Sequence, residues 1–306
     1  MIKPVRRFTL AFISSALMGL TSSAVGEVDL SAELEQYREN YNLPAVGAVV
    51  VKEGKVIAIG VAGTRVVGQE NPVQLDDHFH LGSNAKAMTG TVAGAMVDQG
   101  KLRWDSTVSE VLGDQIEGLS PELGAVTLDQ LLSHSSGIPS DTPEMLDIYF
   151  NVRNYDYTIE QQRLLAIQDY AATVPVVPEG SPFQYSNFAY MIAAAMIDEA
   201  SGTTTENLYQ TLIFEPLQME SAGFGSQATI GLYDAPVPHL LEEKDGETVI
   251  TPRPWGEAAD VPSILWTVGG VHMSLRDYAK WMSYNASAGN RGPAIVEVDT
   301  LATIHS

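Results

Sequence analysis

The 306-residue chain contains no cysteine. That absence excludes a disulfide framework, a thiolate nucleophile, a cysteine zinc site and a lipid-bearing cysteine. Basic residues are scarce: 17 Lys and Arg stand against 38 Asp and Glu, a formal charge of −21. Lys3, Arg6 and Arg7 all fall in the first 24 residues, which carry no acid, so the remainder is more acidic still. Such a surface repels phosphate backbones and anionic lipid, which argues against nucleic acid and the membrane surface as partners. Charged residues are only 18% of the chain and apolar residues 45%, a balance that suits a large folded core and not a disordered chain. The length fits one large domain or two interleaved ones. Long apolar runs are also lacking after residue 24: residues 191–197 make a run of seven, against the ~20 needed to span a bilayer.

The first 24 residues have an order of their own. A basic stretch (Lys3, Arg6, Arg7) precedes an apolar run over residues 8–20 and the small residues Ser22, Ser23 and Ala24. That order predicts a secretory signal cleaved after about Ala24, the run being too short for a membrane anchor. The mature chain is then expected to be secreted or periplasmic, and without disulfides it must be stabilised by its core.

Residues 31–41 read as a polar helix ended by Asn42-Leu43-Pro44. Residues 45–51 and 55–61 are β-rich runs around Lys52-Glu53-Gly54, which predicts a hairpin. Residues 83–99 place Met88, Val92, Ala95 and Met96 at helical spacing, with Gly100 as the stop. Gly90 and Gly94 lower helix propensity by about 1 kcal/mol each, yet they make a smooth face that another element can approach closely. A buried central helix is expected. The middle reads as helical over 127–133, 158–172, 187–200 and 204–212, punctuated by Gly137-Ile138-Pro139, Pro175, Pro178-Glu179-Gly180 and Pro182. Residues 222–268 read as short strands and loops with a turn at Lys244-Asp245-Gly246, and 274–284 as a helix. There is no internal repeat. The pattern predicts an α+β fold, an antiparallel sheet flanked by helices with an inserted helical subdomain at about 101–220.

Ser83-Asn84-Ala85-Lys86 sets a hydroxyl and an amine on one face at the start of the buried helix. The helix N-terminus favours negative charge on the Ser oxygen, and a desolvated, neutral Lys can take the hydroxyl proton. On spacing alone, a Ser cap with the Lys on the exposed side is the plainer reading. Tyr185-Ser186-Asn187, before an apolar helix, can project a phenol into a cleft as a proton carrier. A second Tyr-x-Asn, Tyr149-Phe150-Asn151, reads as ordinary packing.

Five blocks in order carry a resemblance: 79–86 (FHLGSNAK), 131–139 (LLSHSSGIP), 178–187 (PEGSPFQYSN), 214–219 (FEPLQM) and 268–281 (VGGVHMSLRDYAKW). Together, over roughly residues 30–306, they resemble the serine β-lactamase and penicillin-binding-protein superfamily, in its branch related to class C β-lactamases with D-Ala-D-Ala peptidases and esterases. The resemblance implies that Ser83 is the nucleophile of an acyl-enzyme and that Lys86 and Tyr185 share proton transfer. It also implies that Asn187 binds substrate or Lys86, with Gly269 and Gly270 beside the substrate.

The chain departs from the family pattern in two linked ways. No Lys/His-Thr/Ser-Gly triplet follows the Gly269-Gly270…Ser274…Asp277 block, and Lys244-Asp245-Gly246 reads as a turn. The last residues, His305-Ser306, come soon after a helix opened by Asp299. In the family the missing strand lines the site and supplies an oxyanion-hole N–H. Residues 25–306 are therefore expected to be a truncated hydrolase domain, lacking on the order of a hundred residues.

His78 and His80 alternate along a strand and could share a metal, but no third ligand group accompanies them. His134 reads as a hydrogen-bonding residue and His272 as packing. No metal and no cofactor are expected. The expected function is a secreted serine hydrolase acting on a β-lactam, a D-amino-acid peptide or an ester, as a monomer with a small-molecule or peptide substrate. The alternatives are a catalytically silent relative that binds a cell-wall or peptide ligand, and a metal-dependent hydrolase using His78 and His80.

Overall fold

A computed structural model of the protein describes residues 26–139, 141–151, 156–171, 182–256 and 259–306. The signal-like residues 1–24, Pro175 and the Pro178-Glu179-Gly180 turn lie outside the described residues. Strand β1 (Val28–Asp29) leads into helix α1 (Ser31–Tyr41), then β2 (Ala45–Lys52) and β3 (Lys55–Gly63). The hairpin forms where its turn chemistry predicts it. Glu53 and Gly54 both have positive φ, 52° and 79°, the backbone a two-residue hairpin turn demands. The sheet order is β1-β3-β2, and β1 pairs with β3 in parallel, so the sheet has one parallel edge beside its antiparallel hairpin.

After β4 (Phe79–His80) a single 3-10 turn, Gly82–Asn84, feeds helix α2 (Ala85–Asp98). Ser83 thus stands on the turn before the regular helix and not within it. Short helices follow: α3 (Val108–Leu112), α4 (Pro121–Gly124), α5 (Leu128–Leu132), α6 (Pro143–Asn151) and α7 (Ile159–Ala171). Thr107 and Thr127 close capping boxes with Glu110 and Gln130, which start α3 and α5. Helix α8 (Asn187–Ser201) is the centre of this region, with every residue from Phe188 to Asp198 buried. Met191, Ile192, Met196 and Ile197 are fully buried on it, each stabilising the fold by about 1.5–3 kcal/mol. The run expected as one helix over 204–212 is instead α9 (Thr205–Leu208) continued by a π-helical turn, Tyr209–Phe214. That widened turn presents the Tyr209 hydroxyl to the Ala85 carbonyl at 2.7 Å, at the base of α2.

Strand β5 (Gly223–Phe224), the hairpin β6 (His239–Lys244) and β7 (Glu247–Pro252), helix α10 (Trp266–Gly269) and strand β8 (Val271–Met273) come next. Asp245 and Gly246 turn the β6-β7 hairpin, while β4, β8 and β5 form a separate small sheet in that order. Helices α11 (Leu275–Ala286) and α12 (Val298–Ile304) complete the described residues. The glycine face of α2 receives α12: a Cβ on Gly94 would lie 2.8 Å from both Ile304 and Thr300 side chains. Among the described residues no helix is long and apolar enough to cross a membrane.

A buried ionic cluster ties the helices together. Arg163 on α7 is fully buried and donates to Asp198 on α8 at 2.7 Å and to Glu206 on α9. Its remaining N–H groups reach the Ile264 carbonyl at 3.3 Å and the Thr267 hydroxyl at 3.4 Å, anchoring the segment that becomes α10.

Candidate active site

Leu81 N–H donates to the Val271 carbonyl at 2.8 Å, so β8 holds the chain up to the turn that carries Ser83. Gly82 takes φ +53°, a left-handed conformation that L side chains rarely adopt, and turns the backbone sharply into α2. Ser83 is left exposed, while Lys86, one helical turn on, is buried with 6% of its surface accessible. Ser83 makes no helix-capping hydrogen bond and Lys86 faces inward, so the cap reading of this motif does not hold.

The Lys86 ammonium has three acceptors around it. Nζ donates to Ser83 Oγ at 3.1 Å, to Asn187 Oδ1 at 2.8 Å and to the Val268 carbonyl at 3.0 Å. The faces of Tyr185 and Tyr190 lie 4.8 and 5.5 Å from Nζ, within the range of cation–π attraction. Burial nevertheless dominates and lowers the Lys86 pKa to about 8, with the Asp141 carboxylate pulling the other way. An amine tuned to that range can hold or take a proton near neutral pH.

The Tyr185 hydroxyl donates to Ser83 Oγ at 2.6 Å. Its backbone is fixed from the 131–139 block. The His134 carbonyl accepts from Gln184 N–H at 2.7 Å, and His134 Nδ1 accepts from Ser186 N–H at 3.1 Å. The His134 ring packs 4.4 Å from the Tyr185 ring. Burial, helped by the Lys86 charge, lowers the His134 pKa, which keeps its imidazole neutral and able to accept. Ser186 caps α8 through Ala189 N–H and donates to the Pro139 carbonyl at 2.9 Å. Asn187 is gripped from two sides: the Lys86 ammonium can only donate and a carboxylate can only accept, so Oδ1 faces Lys86 and Nδ2 faces Asp141, at 2.7 Å.

The structure therefore brings Ser83, Lys86, Tyr185 and Asn187 together. Gly269 lies opposite Gly82, and a Cβ on Gly270 would lie 2.6 Å from the Trp266 ring. Tyr149 is 1% exposed and faces Asp141, with no hydrogen bond to Ser83. His78 stacks on His272 with ring centroids 5.3 Å apart, and His80 bonds to Asp260 and Gly82. Among the described residues no cluster of three or more His, Asp or Glu is arranged to hold a metal ion. Two participants escaped sequence reasoning. Val268 opens the fifth block, but its carbonyl is a backbone group with no side-chain signature, and Asp141 is an ordinary loop acid until folding sets it against Asn187.

The family described as Beta-lactamase matches residues 30–303 of this chain. The chain belongs to that family. Its relatives are distant: the unguisins hydrolase of Aspergillus violaceofuscus is 21% identical over 265 residues, covering 83% of this chain and 44% of that protein. The octameric penicillin-binding protein homologue from Pyrococcus abyssi shares the fold with a TM-score of 0.69 at 24% identity, over 89% of this chain and 59% of that one. The D-amino acid amidase from Ochrobactrum anthropi SV3 superposes with a TM-score of 0.67 at 17% identity, over 89% and 72%. The chain spans about half the length of the curated relatives it matches.

Proposed function

We propose that this chain is an exported serine hydrolase that forms an acyl-enzyme on Ser83. The observation that carries the reading is the convergence of Lys86 Nζ and the Tyr185 hydroxyl on Ser83 Oγ, at 3.1 and 2.6 Å. Ser83 Oγ attacks the acyl carbonyl carbon while its proton passes to neutral Lys86. The tetrahedral intermediate expels its amine or alkoxide, which takes that proton up through the Tyr185 hydroxyl and leaves Ser83 esterified. Water then attacks the ester carbonyl, yielding one proton to the Lys86–Tyr185 pair and hydroxide to the acyl group. Ser83 Oγ departs with the proton, and both partners are restored. The Ser83 backbone N–H, on the turn that leads into α2, serves the developing oxyanion. Asn187 holds Lys86 in place and offers a hydrogen bond to substrate, with Gly269 beside the approach.

The acyl donor we favour is an amide, lactam or ester. Relatives named as an amidase and as an unguisins hydrolase support that range. Residues 1–24 are read as an export signal and 25–306 as the hydrolase domain, with its helical part at about 101–220. We read the chain as a monomer, which light scattering checks. The deciding experiment is labelling with a fluorophosphonate or penicillin probe followed by intact mass. One adduct on the parent and none on Ser83→Ala is expected. An equal adduct on both sinks the nucleophile, and none on either favours a silent, ligand-binding relative.

A further inference from the structure

We propose that His80 and Asp260 form a positioning couple that holds the Gly82–Ser83 turn in register with the helix that binds Lys86. The proposal rests on the Ser83 reading for its kinetic consequence, but its geometry stands apart from it. Gly82 N–H donates to His80 Nδ1 at 3.2 Å. A backbone N–H can only donate, so Nδ1 must carry the lone pair and the imidazole proton sits on Nε2. Nε2 lies 3.3 Å from Asp260 Oδ1, and a carboxylate can only accept. One neutral tautomer therefore satisfies both partners.

Asp260 is itself anchored. Its Oδ1 accepts from Val261 N–H at 2.7 Å and its Oδ2 from the Trp266 indole N–H at 3.3 Å. Trp266 is the first residue of α10, whose Val268 carbonyl accepts from Lys86. A single carboxylate thus connects the turn before Ser83 with the segment that orients Lys86. The couple is largely sheltered, with 25% and 15% of the two side chains accessible. It also forms part of the wall of a cavity of about 550 Å³ that Asn187 and Asp141 share. Neither residue touches Ser83 Oγ. Their effect is on where that oxygen and the Ser83 N–H stand, and misplacement by about 1 Å can cost on the order of 100-fold in rate.

The test compares His80→Leu, His80→Asn, Asp260→Ala and the Leu/Ala double variant of the full chain. The readouts are the rate of fluorophosphonate adduct formation and hydrogen exchange of the peptide spanning residues 79–86. Asn can accept from the N–H two residues on, as His80 does, but cannot reach Asp260. His80→Leu should slow acylation about 10- to 100-fold, the scale for groups that orient a functional residue. His80→Asn, which keeps the bond from Gly82 and loses the one to Asp260, should recover only part of that loss and match Asp260→Ala. Because the two residues act as one unit, the double variant should be no slower than His80→Leu, within about twofold. A His80→Leu rate equal to the parent overturns the couple, as does a parent-like rate in His80→Asn or Asp260→Ala, or losses that multiply. If His80→Leu does not fold, equal slowing in Asp260→Ala and His80→Asn upholds the couple, and a parent-like rate in either overturns it. If the parent takes no label, the Ser83 reading fails on its own. The couple is then decided by exchange: faster in both His80→Leu and Asp260→Ala upholds it, and unchanged exchange in either refutes it.

Discussion

Lys86 Nζ lies 2.8 Å from the Oδ1 of Asn187, a residue 101 positions further along the chain. That contact joins the first turn of α2 to the first residue of α8, whose residues Phe188 to Asp198 are all buried. It explains how a lysine survives in an apolar interior. Each of its three N–H groups has an acceptor, one of them the group it would activate.

Replacing a proton carrier should slow acylation without unfolding the chain. Lys86→Ala and Tyr185→Phe are each expected to lose about 10²–10⁴-fold in the rate of adduct formation. Tyr149→Phe should leave that rate within about twofold, because Tyr149 faces Asp141 and makes no hydrogen bond to Ser83 or Lys86. Equal losses at Tyr149 and Tyr185 in a labelling time course would show that the wrong tyrosine has been assigned.

The pH dependence follows from Lys86. With its pKa lowered to about 8, the acylation rate should climb with pH through about 8 as the amine becomes neutral. The Asp141 carboxylate favours the charged form, so Asp141→Asn should move this limb to lower pH. A pH–rate profile that stays put, or moves upward, would contradict the assignment. The same shift has a stability consequence. The unfolded chain holds the Lys86 proton up to the ordinary lysine range while the folded one releases it near 8. Protonated Lys86 therefore costs the fold about 3 kcal/mol below pH 8, and that cost disappears as pH rises from 8 to 10.5. Parent stability relative to Lys86→Met, measured by denaturant titration, should rise across that window.

Arg163 is the most exposed weakness of the helical region in energetic terms, although it is fully buried in space. Arg163→Met would leave Asp198 and Glu206 facing each other without their cation. The expected loss is about 3–5 kcal/mol in unfolding free energy. A midpoint within experimental error of the parent would mean that the acids protonate at little cost.

The packing of α12 on α2 can be tested by volume. Gly94→Val puts methyl groups where Ile304 and Thr300 already stand, and overpacking of this kind typically costs about 1–3 kcal/mol. Ile304→Ala in the same chain should recover part of that loss. Thermal melts showing no recovery would mean that α12 is not held there.

Much of this protein is written locally. The hairpin residues, the helix 31–41 and the Ser83/Lys86 face depend on turn chemistry, caps and residue spacing, which act over a few positions and can be read from them. The five ordered blocks carried the family, and Gly90 and Gly94 announced a close-packed partner without saying which. What local chemistry cannot state is which distant group completes a site. The Ser cap reading of Ser83 failed because only burial by α8 and α10 turns Lys86 inward. The roles of the Val268 carbonyl, Asp141 and Asp260 are also unmarked in sequence, and His80 reads there as a metal-ligand candidate and not as a partner of Asp260. A carbonyl belongs to every residue, and an aspartate acquires its meaning from what folding sets against it. The π-helical turn at Tyr209 is of the same kind, since its widened geometry is held by a hydrogen bond to Ala85, 124 residues away. Periodicity and turn residues determined which segments become helix and strand. Tertiary packing alone decided the desolvation that lowers the Lys86 pKa, because the field at a buried amine is set by atoms that sequence distance does not order.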